Sequence, residues 1–233
     1  MSIGRRTVEA YSDRMRIGIV GAGRIGGNAG RLFAGAGHEV MFSGSRDPAK
    51  LERLAADAGG AGTGSPREAA EFGEVVMFSV PWRAADDVLA QTGSLDGKVV
   101  IDTTNQYGEG GWEQLPKPAA QVNAERMPGA RLVKALNTLT SGFQGEAAGR
   151  GVAMFLAGEN ADAKHVVAGL IRDIGFEPVD VGGFAEVPIM EAPRREGAVY
   201  GEEYSGADGQ RIADALREDP EQAAKLAAEL RVT

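Results

Sequence analysis

Cysteine is absent from this 233-residue chain, which removes disulfides, thiolate metal sites, iron–sulfur ligation and cysteine nucleophiles together. Histidine is almost absent, since only His38 and His165 occur. A transition-metal centre therefore has too few ligands to draw on and none is expected, which leaves carboxylate-bound magnesium as the one open class of metal. Basic charge is scarce as well: 25 Lys and Arg stand against 33 Asp and Glu, a formal charge of −8. Without clustered cations there is little to displace counterions from a nucleic acid. No apolar run approaches the ~20 residues of a membrane helix, and residues 1–14 are polar and charged, without the apolar core of a signal peptide. These absences lead us to expect a cytoplasmic protein with a small-molecule partner, no nucleic acid and no membrane, in which residues 1–14 form a flexible arm.

Glycine, in contrast, is plentiful, and one group of glycines is spaced as chemistry would require. Arg16-Ile17-Gly18-Ile19-Val20 reads as a short apolar strand, and Gly21-Ala22-Gly23-Arg24-Ile25-Gly26 follows it. The next residues place Ile25, Ala29, Leu32, Phe33 and Ala36 on one helical face. A G-x-G-x-x-G string is weak evidence in a chain with 34 glycines, but the strand before it and the helix after it supply the context a dinucleotide fingerprint needs. Gly21 permits the tight turn, Gly23 lets a diphosphate approach the main chain, and Gly26 lets helix and strand pack closely. The N–H groups of Arg24 and Ile25 then lie at a helix start, where an anion is favoured.

The cofactor is decided after the second strand, residues 37–43, at whose mouth His38 reads as a turn residue. A site selecting NAD usually carries Asp or Glu there to hold the ribose hydroxyls. This chain offers Ser43-Gly44-Ser45-Arg46, with Lys50 one turn into a helix started by Asp47-Pro48. Hydroxyl, guanidinium and ammonium groups all suit a 2′-phosphate, which a carboxylate would repel. NADP is therefore expected rather than NAD, FAD or S-adenosylmethionine.

Further strands are predicted at 61–64, 74–80, 98–102, 131–136, 151–157 and 177–181, alternating with helices. This pattern implies an α/β, Rossmann-like, doubly wound, mostly parallel sheet with a smaller C-terminal extension. We divide it into an NADP-binding domain, 15–137, and a smaller region, 138–233, that packs on it. The tail is irregular from about 182, and a last helix over 210–231 is broken near Pro220. Carboxyl ends of parallel strands face the ligand, so Ser79, Val80 and Pro81 should lie near the nicotinamide, with Thr104 and Asn105 at the next strand end. Trp82 reads as a packing residue and 108–118, with Trp112, as a loop over the same edge. A carbonyl or imine reductase would need a proton donor, for which Lys134 and Tyr107 are the candidates.

The succession Gly21-Ala22-Gly23-Arg24-Ile25-Gly26, Gly44-Ser45-Arg46, Ser79-Val80-Pro81-Trp82, Asp102-Thr103-Thr104-Asn105 and Val133-Lys134-Ala135-Leu136-Asn137-Thr138 resembles the NADP oxidoreductase family that uses coenzyme F420, a deazaflavin. It is also similar to the cytosolic reductase domain of the six-transmembrane metalloreductases. The resemblance implies hydride transfer between NADP and coenzyme F420 as co-substrate, with Asn137 and Thr138 positioning the rings, in a homodimer. The family's archaeal members place a histidine in the deazaflavin pocket where this chain has Asn137. The tail after Gly182, with Arg194 and Arg195, also departs from the family.

Overall fold

Runs such as Val75-Val76-Met77-Phe78 are apolar without alternation, as in parallel strands covered on both faces. The computed structural model describes residues 14–44 and 47–231 and gathers eight strands, most of them of this kind, into one sheet. The first half of the chain supplies β1 (Arg16–Val20), α1 (Arg24–Gly35), β2 (Glu39–Ser43), α2 (Pro48–Asp57), β3 (Gly62–Gly64), α3 (Pro66–Phe72), β4 (Val75–Phe78), α4 (Ala85–Thr92) and β5 (Val99–Asp102). A two-stranded hairpin, β6 (Tyr107–Gly108) and β7 (Gly111–Trp112), comes next. It is followed by α5 (Ala119–Arg126), β8 (Arg131–Ala135), α6 (Ser141–Ala147), β9 (Ala153–Ala157), α7 (Ala161–Asp173), β10 (Glu177–Asp180), α8 (Gly206–Glu218) and α9 (Pro220–Leu230).

The strands lie in the order β10-β9-β8-β5-β4-β1-β2-β3. Every pairing from β3 to β8 is parallel, β9 runs against β8, and β10 follows β9. The fold is thus α/β, Rossmann-like and mostly parallel. From β1 the chain winds outward to β2 and β3, then returns to β4 on the other side of β1. This reversal opens a crevice at the carboxyl ends of β1 and β4, the place where doubly wound sheets take their ligands.

Two apolar layers hold the sheet. Ile17, Ile19, Val75 and Met77 face α1, α2 and α7 through Phe33, Leu51, Val167 and Leu170. Val76, Phe78 and Val100 face α3 and α5, and Phe155 and Val179 on the same side face α8 and α9. Each fully buried Phe or Leu contributes roughly 1.5–3 kcal/mol.

Residues 1–13 lie outside the described residues, and with them nearly all of the expected arm. The boundary set at 137 falls within a continuous sheet, because β9 and β10 extend it beyond β8. The last helix is two helices: α8 starts at Gly206 and α9 at Pro220, and the Asp219 side chain caps the second by accepting from Glu221 N–H. His38 does sit at the α1–β2 turn but is buried there. Its Nδ1 accepts from Met15 N–H (3.3 Å), and its Nε2 lies 3.2 Å from the Asp173 carboxylate at the end of α7.

Candidate active site

At the crevice, the N–H groups of Gly21 and Ala22 donate to the Ser43 carbonyl (3.1 and 2.9 Å), folding the turn against the end of β2. Gly21 has φ +102°, and a Cβ there would lie 2.4 Å from the Ser79 carbonyl oxygen. A Cβ on Gly26 would lie 2.2 Å from the Gly21 carbonyl oxygen, whereas one on Gly23 would meet nothing within 4 Å. Two of the three glycines are therefore required by the chain itself, while the third faces open space. Helices α2, α3, α6, α7, α8 and α9 each have a side chain accepting from an N–H of the first turn. Helix α1 begins at Gly23 with none, so its free N–H groups and positive dipole end point into the crevice.

A cleft of about 500 Å³ runs from Gly23 along α1, lined by Arg24, Asn28, Arg31 and Lys50, with Gly142 and Gly145 of α6 opposite. Among the described residues, no carboxylate pairs with Arg24, Arg31 or Lys50. Asn28 Nδ2 is buried there without a hydrogen-bond partner. Neither Asn28 nor Arg31 was expected at this site. Their spacing from Arg24, four and seven residues on, would have placed them on its helical face. Ser45 and Arg46 lie outside the described residues. Ser43 corrects an expectation: its side chain is fully buried and its Oγ donates to the Ile19 carbonyl at 2.9 Å. Burial on both faces of the sheet turns that hydroxyl inward, away from any phosphate.

At the other end of the crevice, Ser79 stands at the carboxyl end of β4, its Oγ accepting from Thr103 Oγ at 2.9 Å. Val80 beside it is buried and Pro81 exposed. Trp82 packs beneath the Arg126 guanidinium, 4.5 Å from the ring centroid. Thr104 is turned away from the crevice: its hydroxyl accepts from Asn123 Nδ2 (2.9 Å), its N–H donates to Asp102 (2.9 Å), and its carbonyl accepts from Lys134. Asn105 is equally occupied, accepting from Ala192 N–H (3.2 Å) and donating to the Asn137 carbonyl (3.1 Å). Asn137 donates to the Met190 carbonyl at 2.7 Å, but its Oδ1 and the Thr138 hydroxyl are buried and unpartnered.

Lys134 is no proton donor to the crevice. Its ammonium is fully enclosed, 3.0 Å from Asp102 and 3.6 Å from Glu191. Glu191 in turn accepts from Ala119 and Ala120 N–H at 2.9 and 2.8 Å, capping α5 from 72 and 71 residues away. Removing one member of such a buried pair typically costs about 3–5 kcal/mol, because the remaining charge is stranded.

Residues 188–202, expected as irregular tail, pass over this edge as an ordered strap. Ile189, Met190, Ala192 and Val199 are buried, Gly201 N–H donates to the Thr138 carbonyl at 2.8 Å, and Trp112 Nε1 donates to the Ala192 carbonyl at 2.9 Å. Burial and a hydrogen bond with Tyr107 raise the pKa of the Tyr200 phenol, while burial pushes Tyr204 up to about 12. Arg194 makes a two-point contact with Glu202 at 2.7 and 2.9 Å, and those bonds hold the Glu202 carboxyl below its usual range.

Residues 16–106 match the family described as NADP oxidoreductase coenzyme F420-dependent, in line with the resemblance carried by the motifs. A curated relative is the metalloreductase STEAP3 of Rattus norvegicus, 26% identical over 187 residues, which are 79% of this chain and 37% of the relative. The chain thus spans little more than a third of that protein. Among solved structures, a hypothetical protein from Sinorhizobium meliloti superposes with a TM-score of 0.73 at 28% identity, covering 83% of this chain and 96% of its own. A structure from Arthrobacter, described as a candidate F420-dependent NADP reductase, gives 0.64 at 25% identity over 73% and 86% of the two chains. Among the described residues, no helix is long and apolar enough to cross a membrane and no acidic or histidine cluster is arranged to hold a metal.

Proposed function

We propose that this chain, with residues 16–106 carrying the sequence of the F420-dependent NADP oxidoreductase family, is an NADP(H)-dependent oxidoreductase that moves a hydride between nicotinamide and a deazaflavin or similar acceptor. The start of α1 carries the reading: Gly23 opens onto free space and the first helical N–H groups have no side-chain cap. A diphosphate fits that place. Arg24 and Lys50 stand beside it without carboxylate partners among the described residues, and Ser43-Gly44-Ser45-Arg46 carries no acid where β2 ends, which favours a cofactor bearing the extra phosphate.

The chemistry supplied by a bound nicotinamide is hydride transfer. The chain's own task is to seat and orient rings in a dry cleft, which needs no acid or base among the side chains. We assign ring positioning to Asn137 and Thr138, whose buried Oδ1 and hydroxyl lack partners, and the floor of the cleft to Ser79, Val80 and Pro81. Thr104 and Asn105 act at one remove, by fixing the strand end and the strap. The Arthrobacter neighbour supports the deazaflavin as acceptor. A second reading, reduction of another small organic substrate, is favoured by the Tyr107 and Tyr200 phenols, which lie at the same edge and offer a proton source.

Purified protein mixed with NADPH and oxidised deazaflavin should lose nicotinamide absorbance stereospecifically. Tight NADPH binding without turnover there would reject the deazaflavin, and oxidation by no acceptor at all would mark a sensor. Arg46→Ala should weaken NADPH by about 1.5–3 kcal/mol and NADH far less; equal losses would count against the assignment. We extend the reading to a homodimer, which light scattering tests.

A further inference from the structure

Away from the glycine turn, a cleft of about 400 Å³ opens between the β6–β7 hairpin, residues 114–118 and the strap. Its walls are mostly apolar, from Trp112, Leu115, Pro118 and Pro188, with Arg195 at the rim. Among the described residues, Trp112 and Tyr107 are the large hydrophobic side chains left exposed, Trp112 at 41%.

Two polar groups in this cleft have capacity left for a ligand. Gln106 is only 6% exposed. Its Nε2 donates to the Ala192 carbonyl at 3.4 Å, while its Oε1 has no partner. Rotating the amide would not relieve this, because oxygen would then face the Ala192 carbonyl oxygen. Arg195 donates to the carbonyls of Pro188, Glu191 and Pro193 but pairs with no carboxylate among the described residues. Burial disfavours its charge more than the Glu191 carboxylate, which also lines the cleft, favours it, so a further anion at the rim has room to act.

We propose that this cleft is a second small-molecule site, taking a flat aromatic acid whose ring lies against Trp112 and the prolines. A ring N–H or O–H donates to Gln106 Oε1 and a carboxylate meets Arg195. The volume suits a one- or two-ring compound. The site is separate from the cofactor groove: the Ala192 carbonyl faces Gln106 and Trp112, while its N–H bonds Asn105.

The chain has two tryptophans, so indole ¹⁵N labelling yields two side-chain resonances, which Trp112→Phe assigns. Titration with indole-3-acetate should shift the Trp112 resonance saturably, with a dissociation constant of about a millimolar or tighter. The N-methyl analogue, which lacks the donor, should bind about tenfold more weakly, and indole-3-ethanol, which lacks the charge, should bind more weakly as well. Gln106→Leu should erase the difference between the N–H and N-methyl compounds. Saturating NADPH should leave the titration unchanged within about twofold. Non-saturating shifts, a response confined to Trp82, equal binding of the N-methyl analogue to the unmodified protein, or displacement by NADPH would each overturn the site.

Discussion

At the carboxyl ends of β5 and β8, Asp102, Lys134 and Glu191 all find partners inside the chain, through Thr104, Asn123 and the first N–H groups of α5. At the start of α1 the reverse holds: the helix is uncapped, Asn28 Nδ2 is unpartnered, and Arg24, Arg31 and Lys50 form no ion pair among the described residues, although Glu146 lines the same cleft. Both regions are polar, and both contain a lysine. The first uses polarity to fix the chain. The second leaves it unspent, as a ligand site should.

Breaking the saturated region should give the largest effect. Lys134→Met should lower unfolding free energy by about 3–5 kcal/mol, read from the urea midpoint, because two buried carboxylates lose their counter-ion. A fall below about 1 kcal/mol would mean that the buried Asp102–Lys134–Glu191 network is no strut for the fold. Gly23→Ala should do the opposite: apo stability should stay within about 0.5 kcal/mol, while NADPH affinity by calorimetry drops at least about tenfold, since the added methyl occupies the diphosphate's approach. Lost stability with unchanged affinity would erase the contrast between the two regions.

A smaller effect is expected at Lys50, where alanine should cost NADPH binding about 1 kcal/mol, shrinking as salt rises. The smallest concerns the strap. Glu202 titrates lower in the folded protein than unfolded, because Arg194 hydrogen-bonds its carboxylate and attracts it electrostatically. Its stabilising contribution is complete above the unfolded value of about 4.3 and lost as pH falls through the lower folded value. Acid unfolding of Glu202→Gln should therefore be less steep in that window, and an unchanged curve would show that the pair adds nothing.

How much of this the sequence disclosed depends on range. The glycine turn, the parallel strands from β1 to β8 and the Asp47-Pro48 helix start are local features, and the sequence displayed them in its spacing. The strut was illegible because its members are 32 and 57 residues apart along the chain, at 102, 134 and 191. Lys134 therefore looked like an available acid. Ser43 and Thr104 were sorted by chain position, yet which way each hydroxyl turns is set by the layers that cover the sheet. The strap escaped notice because its glycines, prolines and charges look like a loop, while its burial comes from Asn105, Asn137 and Trp112, all at least 50 residues away.

The reversal of β9 against β8 divides labour within the molecule. Because β9 and β10 direct their carboxyl ends to the opposite edge, the final third of the chain reaches the cofactor edge largely through the crossing at 188–202. On the proposed reading, the diphosphate cradle and the surface facing a second reactant are thus encoded in separate stretches. Selection can rewrite the latter, by lengthening or exchanging one external segment, while the nucleotide grip passes unaltered to descendants with new appetites.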